Sequence, residues 1–380
     1  MDFSLNESQQ MIKDMVRDFA RNEVAPLTSD LDKTGDFPWA NYRKAAELGI
    51  MGMSLPEEIG GVGADMVSYA IAIEELAWAS ASLADSCMLV DMLVHLLNKH
   101  GNDMIKDKYI EPLISGDSMG CFAVTEPEAG SDLANIQTVA VKAGSHWVLN
   151  GSKIFINNAP IADMAIVFAV TDKEKGSSGG MTAFIVEKDM PGFIRGKAED
   201  LMGQRSLKIG QLFFEDVKVP EENILGNIGE GFKMAMSVLD SGRIEIAALA
   251  LGIAQAALDE SLKYSKERKQ FGRPIAKFQA TQWKLANMAT EIDAARLLIH
   301  RAAYLKDQGK NYSKEAAMAK LFTSDIAVKA VNEAVQIHGG YGYTKEYVVE
   351  RLYRDAKVTQ IYEGTNEIQR LVISRILLKD

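Results

Sequence analysis

Apolar periodicity changes twice along this chain, and that change constrains the fold more than any single motif. Over residues 6–115, apolar side chains such as Met11, Met15, Phe19 and Val24 return close to every 3.6 residues, with acids and bases between them. From Gly120, short alternating or β-branched runs take over, at 138–141, 147–149, 153–156, 165–170 and 182–186. Turn-forming stretches, Asn150-Gly151 and Gly176-Ser177-Ser178-Gly179-Gly180, separate them. No helical pattern intervenes, so these runs pair antiparallel rather than through helical crossovers, and the region closes near Pro220. From Gly229 the helical period returns, with Leu285, Met288, Ala289, Ile292, Ala295 and Ile299 on one stripe. Long helices joined by short polar turns predict an antiparallel four-helix bundle. The expected fold is therefore α+β, mostly α. It has an N-terminal α-helical domain (1–117), a central antiparallel β domain (118–226) and a C-terminal helical bundle (227–380).

Composition narrows the function classes. A length of 380 residues exceeds one typical core, and 47% hydrophobic with 25% charged residues is ordinary for a soluble globular protein. A net charge of -10 argues against a general affinity for nucleic acid or anionic membrane, but a local basic cleft still admits a phosphorylated small molecule. Two cysteines, Cys87 and Cys121, make no disulfide framework and fit a reducing compartment. The first seven residues have neither a basic segment nor an apolar core, so no signal peptide is expected. The most apolar stretch, residues 79–97, is interrupted by Asp85, Asp91 and His95 and reads as a buried helix, not a membrane span. The expectation is a soluble protein, cytoplasmic or, in a processed eukaryotic form, in the mitochondrial matrix. The glycines at 60, 61 and 63 follow no strand and read as a turn, not a dinucleotide loop. His95, His100, His146, His300 and His338 form no metal pattern, and neither a phosphate-binding Gly-Lys loop nor a nucleophile elbow occurs.

Two segments carry possible chemistry. In Tyr362-Glu363-Gly364-Thr365, a carboxylate sits between a ring and a glycine, and Thr365 suits the cap of a following helix. Against an apolar pocket Glu363 would be a strengthened base; on the surface it would be an ordinary capping glutamate. Between Phe122 and Asp132, the hydroxyls of Thr125 and Ser131 and the amides around Gly130 make either a cradle for a polar heterocycle or phosphate, or a turn capped by Ser131 and Asp132.

The segment from Phe122 through Thr125, Gly130 and Ser131 to Asp132 resembles the first signature of the acyl-CoA dehydrogenase family. Gln336-Ile337-His338-Gly339-Gly340-Tyr341-Gly342-Tyr343, continuing through Glu346 and Arg351 to Asp355, resembles the second. Leu55-Pro56-Glu57-Glu58-Ile59-Gly60-Gly61, Met202-Gly203-Gln204-Arg205, Arg268-Lys269-Gln270-Phe271-Gly272 and the Glu363 segment match in the right order, so the resemblance spans essentially the whole chain. Within the family it is closest to the short-chain, butyryl-CoA type.

The resemblance implies FAD-dependent α,β-dehydrogenation of a short, branched or alicyclic acyl-CoA thioester, with electrons passed to an electron-transfer flavoprotein. A flavin oxidase or monooxygenase, or a protein without dehydrogenase activity, is the alternative on the same fold. Glu363 takes the position of the base that removes the α-proton; its amide would polarise the thioester carbonyl and Tyr362 would cover it, beside Gly364. The β-hydride would pass to flavin N5. Phe122, Val124, Thr125, Ser131, Phe155 and Asn157 correspond to flavin-lining positions. Arg268, Gln270, Phe271, Phe278 and Gln279 correspond to the pyrophosphate and adenosine end. Gln336, Gly339 and Gly340 would reach an FAD bound mainly to a neighbouring subunit, with Thr365 and Glu367 close to the cofactor too. Such sharing implies a homo-oligomer, by family norm a tetramer. Ser131, Asp240 and Arg243 match positions facing CoA. Three residues depart from the pattern: Asn135 for a small residue, Asn157 for a threonine beside flavin N5, and Leu249 for a polar residue near the acyl group. Gly242 stands where other members carry their base, and Glu245, three residues on, is the competing carboxylate.

Overall fold

The computed structural model describes residues 4–379; residues 1–3, part of the N-terminal stretch read above, lie outside it. Six helices lead: α1 (Glu7–Phe19), α2 (Ala25–Thr34), α3 (Trp39–Glu47), α4 (Met66–Ala79), α5 (Ala81–His100) and α6 (Asp103–Ile114). Asn6 caps α1 in a reciprocal capping box with Gln9. The buried stripe of α1 runs through Val16 and Phe19, while Met11 is 67% exposed. The 11-15-19 spacing of four slips off a 3.6-residue face, and a π-helical turn at Ala20–Val24 then rotates Val24 inward. The apolar stretch 79–97 is not one helix. Ser80 leaves the helical region and caps α5 through the Leu83 N–H.

The sheet follows: β1 (Gly120–Ala123), β2 (Val139–Ala143), β3 (His146–Asn157), β4 (Met164–Val170), a one-turn α7 (Gly176–Gly179), β5 (Met181–Glu187), β6 (Phe193–Ala198), β7 (Ile209–Pro220) and β8 (Ile224–Leu225). Strand order is β6-β7-β3-β2-β4-β5-β8, antiparallel apart from β1 and one residue pair of β2 beside β4. Asn150-Gly151 is no hairpin. It lies inside β3 at an irregularity opposite β7, with φ 145° at Gly151 and the Thr138 side chain 2.6 Å from where a Cβ would stand. Alternation sorts the sheet's two faces. Ile166, Phe168 and Ile185 join the core shared with the helices, whereas Val167, Phe184, Val186, Leu212 and Phe214 form a separate core on the other side.

The remaining chain is α8 (Gly231–Glu267), the small hairpin β9 (Lys269–Gln270) and β10 (Arg273–Pro274), α9 (Gln279–Asp307), α10 (Ser313–His338), α11 (Val348–Lys357) and α12 (Asn366–Leu377). α10 packs against α8, α9, α11 and α12, and α8 against α4 and α5, so the N- and C-terminal helices enclose one continuous core. On α9, Met288, Ile292, Ala295 and Ile299 are buried as expected, while Ala289 is exposed. By length and composition α5 and α8 could each cross a membrane; both are instead packed inside this core.

Candidate active site

Glu363 stands on a strained turn between α11 and α12. Its φ is 53° and that of Gly364 is 88°, a left-handed pair that costs a glutamate about 1 kcal/mol or more. Thr365 caps α12 by accepting from the Ile368 N–H. Two long-range side chains hold the turn. Lys320 of α10, fully buried, donates to the Gly364 carbonyl at 2.8 Å and to Asn366 Oδ1 at 3.1 Å. Gln369 donates to the Gly364 and Glu363 carbonyls at 2.8 and 3.2 Å.

The carboxylate this turn presents is buried, and its Oε2 has no hydrogen-bond partner. Burial pushes its pKa above the usual glutamate range, opposed by the charges of Arg243 and Lys320. Burial in turn lowers Lys320 to about 8, against the attraction of Glu363. Glu363 Oε2 lies 2.9 Å from where a Cβ on Gly242 of α8 would be, so only glycine leaves the carboxylate its place. Arg243 is buried beside it and paired with Asp240, which also accepts from Ser313. Behind the turn, Gln204 binds Asp355 through its N–H at 2.5 Å and approaches the Tyr362 hydroxyl at 3.5 Å. This ties the Met202-Gly203-Gln204 segment to α11.

Facing Glu363 across the site is Asp85 of α5. It hydrogen-bonds to Tyr362 and accepts from Asn157 Nδ2 at 2.5 Å. Burial, and then repulsion from Glu363, raises its carboxyl to about 7. Asn157 closes β3 and links this carboxyl to a rim of the sheet. There Phe122, Val124 and Thr125 leave β1 and cross β3, with Ile154 N–H donating to the Thr125 carbonyl at 3.0 Å. The buried Lys153 pins the crossing by donating to the Val124 carbonyl and, at 2.7 Å, to Glu126. Phe155 projects from this rim, 64% exposed at φ 56°, and Asn157 Oδ1 is buried without a partner. An apolar shelf with one unsatisfied amide suits a flat heterocycle with polar edges, so these residues fit the isoalloxazine of FAD. Ser131 lies exposed on the loop beyond. No cluster of metal-ligating side chains occurs among the described residues.

The expected site residues thus fall into two groups. Glu363, Tyr362, Gly364, Thr365, Asp240 and Arg243 gather near the first third of α8, facing the sheet rim; Glu367 is exposed on the first turn of α12. Arg268, Gln270, Phe271, Phe278, Gln279, Gln336, Gly339 and Gly340 collect at the far end of the bundle. The ends of α8 and α10 meet there, through the stacked rings of Tyr264 and His338. Phe271 is 94% exposed at φ 51°, Arg268 lies over Tyr341, and Arg273 lies over Phe278. The 26 helical residues from Gly242 to Arg268 span about 39 Å, so the two groups do not close around one another within a subunit.

A polar cluster adjoins the first group. Glu245, one helical turn beyond Gly242, is buried and accepts from Ser241 at 3.1 Å; Lys306 of α9 donates to the same hydroxyl at 2.5 Å. Burial, with repulsion from Asp91, raises Glu245 to about 8. Asp91, fully buried on α5, is raised by burial and accepts from Ser54 at 2.5 Å. The sequence reading used Asp85, Asp91 and His95 only to exclude a membrane span. Their recurrence inside an apolar helix was the available sign of a polar site.

Family models for acyl-CoA dehydrogenase match the chain throughout: the N-terminal domain over residues 6–117, the middle domain over 121–217 and the C-terminal domain over 229–378. The "Acyl-CoA dehydrogenase, short-chain specific" of Clostridium acetobutylicum is 48% identical over 98% of this chain and 99% of its own length. Butyryl-CoA dehydrogenase from Megasphaera elsdenii superposes over 100% of both chains, with a TM-score of 0.96 and 47% identity. A chain from the structure described as "Electron transferring flavoprotein of Acidaminococcus fermentans: Towards a mechanism of flavin-based electron bifurcation" does so over 100% of both, with a TM-score of 0.97 and 51% identity.

Proposed function

Because this chain belongs to the acyl-CoA dehydrogenase family, as a flavin-dependent oxidoreductase of its short-chain type, we propose that Glu363 removes the α-proton of a short acyl-CoA thioester to start its α,β-dehydrogenation. Bound FAD supplies the acceptor for the β-hydride. The observation that carries the reading is the partnerless Glu363 Oε2, aimed across the space that Gly242 leaves empty and facing the rim of Phe122, Val124 and Asn157.

An α-proton beside a thioester is weakly acidic, so the base has to be strong yet ionised. Burial strengthens Glu363, and the neighbouring Arg243 and Lys320 keep the ionised form accessible. The turn fixed by Lys320 and Gln369 holds the carboxylate in place, which is how a side chain on a connection acquires the precision of one on a helix. Tyr362, tied to Asp85 and Gln204, screens the site from water. Asn157 presents its free carbonyl oxygen, with its amide held by Asp85, at the rim where the family's threonine would stand.

The second group of residues completes the cofactor site of a neighbouring subunit. Arg268 and Gln336 lie too far along the bundle to serve the flavin beside their own Glu363, so the active form is a homo-oligomer, a tetramer by family norm. Electrons leave to an electron-transfer flavoprotein. The acyl group, branched or alicyclic rather than straight, is shaped by Leu249, which is fully buried on α8.

Anaerobic bleaching of the flavin by butyryl-CoA tests the reading. Glu363→Gln should retain FAD and bind the thioester, yet lose nearly all bleaching. Wild-type-like bleaching in that variant refutes it, and a loss confined to Glu245→Gln moves the base to Glu245.

A further inference from the structure

Beyond Glu363, α5 and α8 line the same space with polar side chains where an alkyl chain would call for apolar ones. On α8, Glu245 follows Gly242 by one turn, about 4.5 Å along the axis. On α5, Asp91 follows Asp85 by six residues, about 9 Å. Asp91 and Glu245 repel one another, and both are attracted by Lys306, so the two lines converge on one chamber. Ser241 bridges Glu245 and Lys306, and Ser54 binds Asp91 while lying 3.3 Å from His95 Nε2.

The chamber is not saturated by its own contacts. Asp91 Oδ2 is buried and makes no hydrogen bond, although His95 Nε2 lies 3.4 Å away. The Tyr69 hydroxyl of α4, fully buried and within the field of both Asp91 and Glu245, also has no partner. An acceptor and a donor-acceptor left bare in a buried site are costly unless something binds them.

Charge selects the ligand. A carboxylate tail would meet Asp91 and Glu245, and an ammonium tail would meet Lys306. An uncharged hydroxyl can donate to Asp91 Oδ2 and accept from Tyr69 or Lys306 without either conflict. We propose that this chamber is a specificity subsite for a hydroxyl group carried on the acyl chain away from the thioester, so that the preferred substrates are hydroxylated acyl-CoAs. The inference rests on the dehydrogenase reading above and names the substrate class of that same site.

The test uses the FAD-loaded enzyme with pentanoyl-CoA, hexanoyl-CoA, 5-hydroxypentanoyl-CoA, 6-hydroxyhexanoyl-CoA, adipoyl-CoA and 6-aminohexanoyl-CoA. kcat/KM is measured with an artificial acceptor, and Kd by flavin absorbance in Glu363→Gln. At least one hydroxylated thioester should exceed its unsubstituted counterpart about tenfold in both measurements, and the charged pair should rank below it. Asp91→Leu should abolish that ratio, and Tyr69→Phe, which keeps the volume and the fold, should reduce it. Hydroxylated probes no better than their counterparts, or a ratio unchanged in Tyr69→Phe and in a folded Asp91→Leu, overturn the subsite. Turnover of hexanoyl-CoA without a hydroxyl preference refutes the subsite alone. Failure of every thioester to reduce intact flavin refutes the dehydrogenase reading, and the Kd ratio then still decides the subsite.

Discussion

Replacing Gly242 by alanine separates base positioning from stability. Gly242 has helical backbone inside α8, so alanine fits its conformation and should stabilise the helix by up to about 1 kcal/mol. The new methyl group, however, would stand 2.9 Å from Glu363 Oε2, short of the 3.4 Å at which ordinary contact begins. The carboxylate has to retreat by about 0.5 Å, since a side-chain tip yields more readily than helix backbone. If a displacement of about 1 Å costs about a hundredfold, half of it costs about tenfold, roughly 1.4 kcal/mol of transition-state stabilisation. The expected Gly242→Ala enzyme therefore keeps its FAD, melts at or above the wild-type temperature, and loses about tenfold in kcat/KM for butyryl-CoA. Thermal melting of the holoenzyme and steady-state kinetics with an artificial acceptor read the two effects separately. A kcat/KM within twofold of wild type in a fully folded variant would refute the argument that Gly242 makes room for the base.

Lys320→Met removes a positive charge beside Glu363 and the main tie of its turn, so the acid limb of the kcat/KM–pH profile should move to higher pH, with activity falling at least tenfold at pH 7; an unmoved limb would show that Lys320 acts on position alone. Asp85 holds its proton up to pH about 7 in the folded protein, whereas the unfolded chain loses it near 4. Its contribution to stability is thus greatest at low pH and declines between pH about 4 and 7, with a slope of up to about 1.4 kcal/mol per pH unit. Asp85→Asn should flatten that decline in denaturation curves taken at saturating FAD, and parallel curves would contradict it. Arg268→Ala and Gln336→Ala should each lower the flavin retained after gel filtration, read at its visible absorbance. Wild-type retention in both would count against a cofactor site shared between subunits.

The elements that local chemistry specifies were legible in the sequence. The two changes of period placed helices, sheet and helices, because burying one face imposes 3.6 on a helix and 2 on a strand. Glu363 before Gly364 and the cap at Thr365 were readable because turn, glycine and cap lie within four residues. Asn150-Gly151 and residues 79–97 misled for a related reason. A glycine demanded by the approach of Thr138 looks, in sequence, like one demanded by a turn, and a helix break at Ser80 carries no Pro or Gly.

The sequence by itself determined the fold class, the family, and the identity of the carboxylate and its turn. Only the tertiary structure decided what that carboxylate experiences. Gly242, Arg243, Lys320, Gln369 and Asp85 reach Glu363 from four helices, and Asp91, Glu245 and Lys306 meet from three. Desolvation, charge–charge attraction and the room left by a missing methyl depend on distance in space, and separation along the chain does not encode that distance.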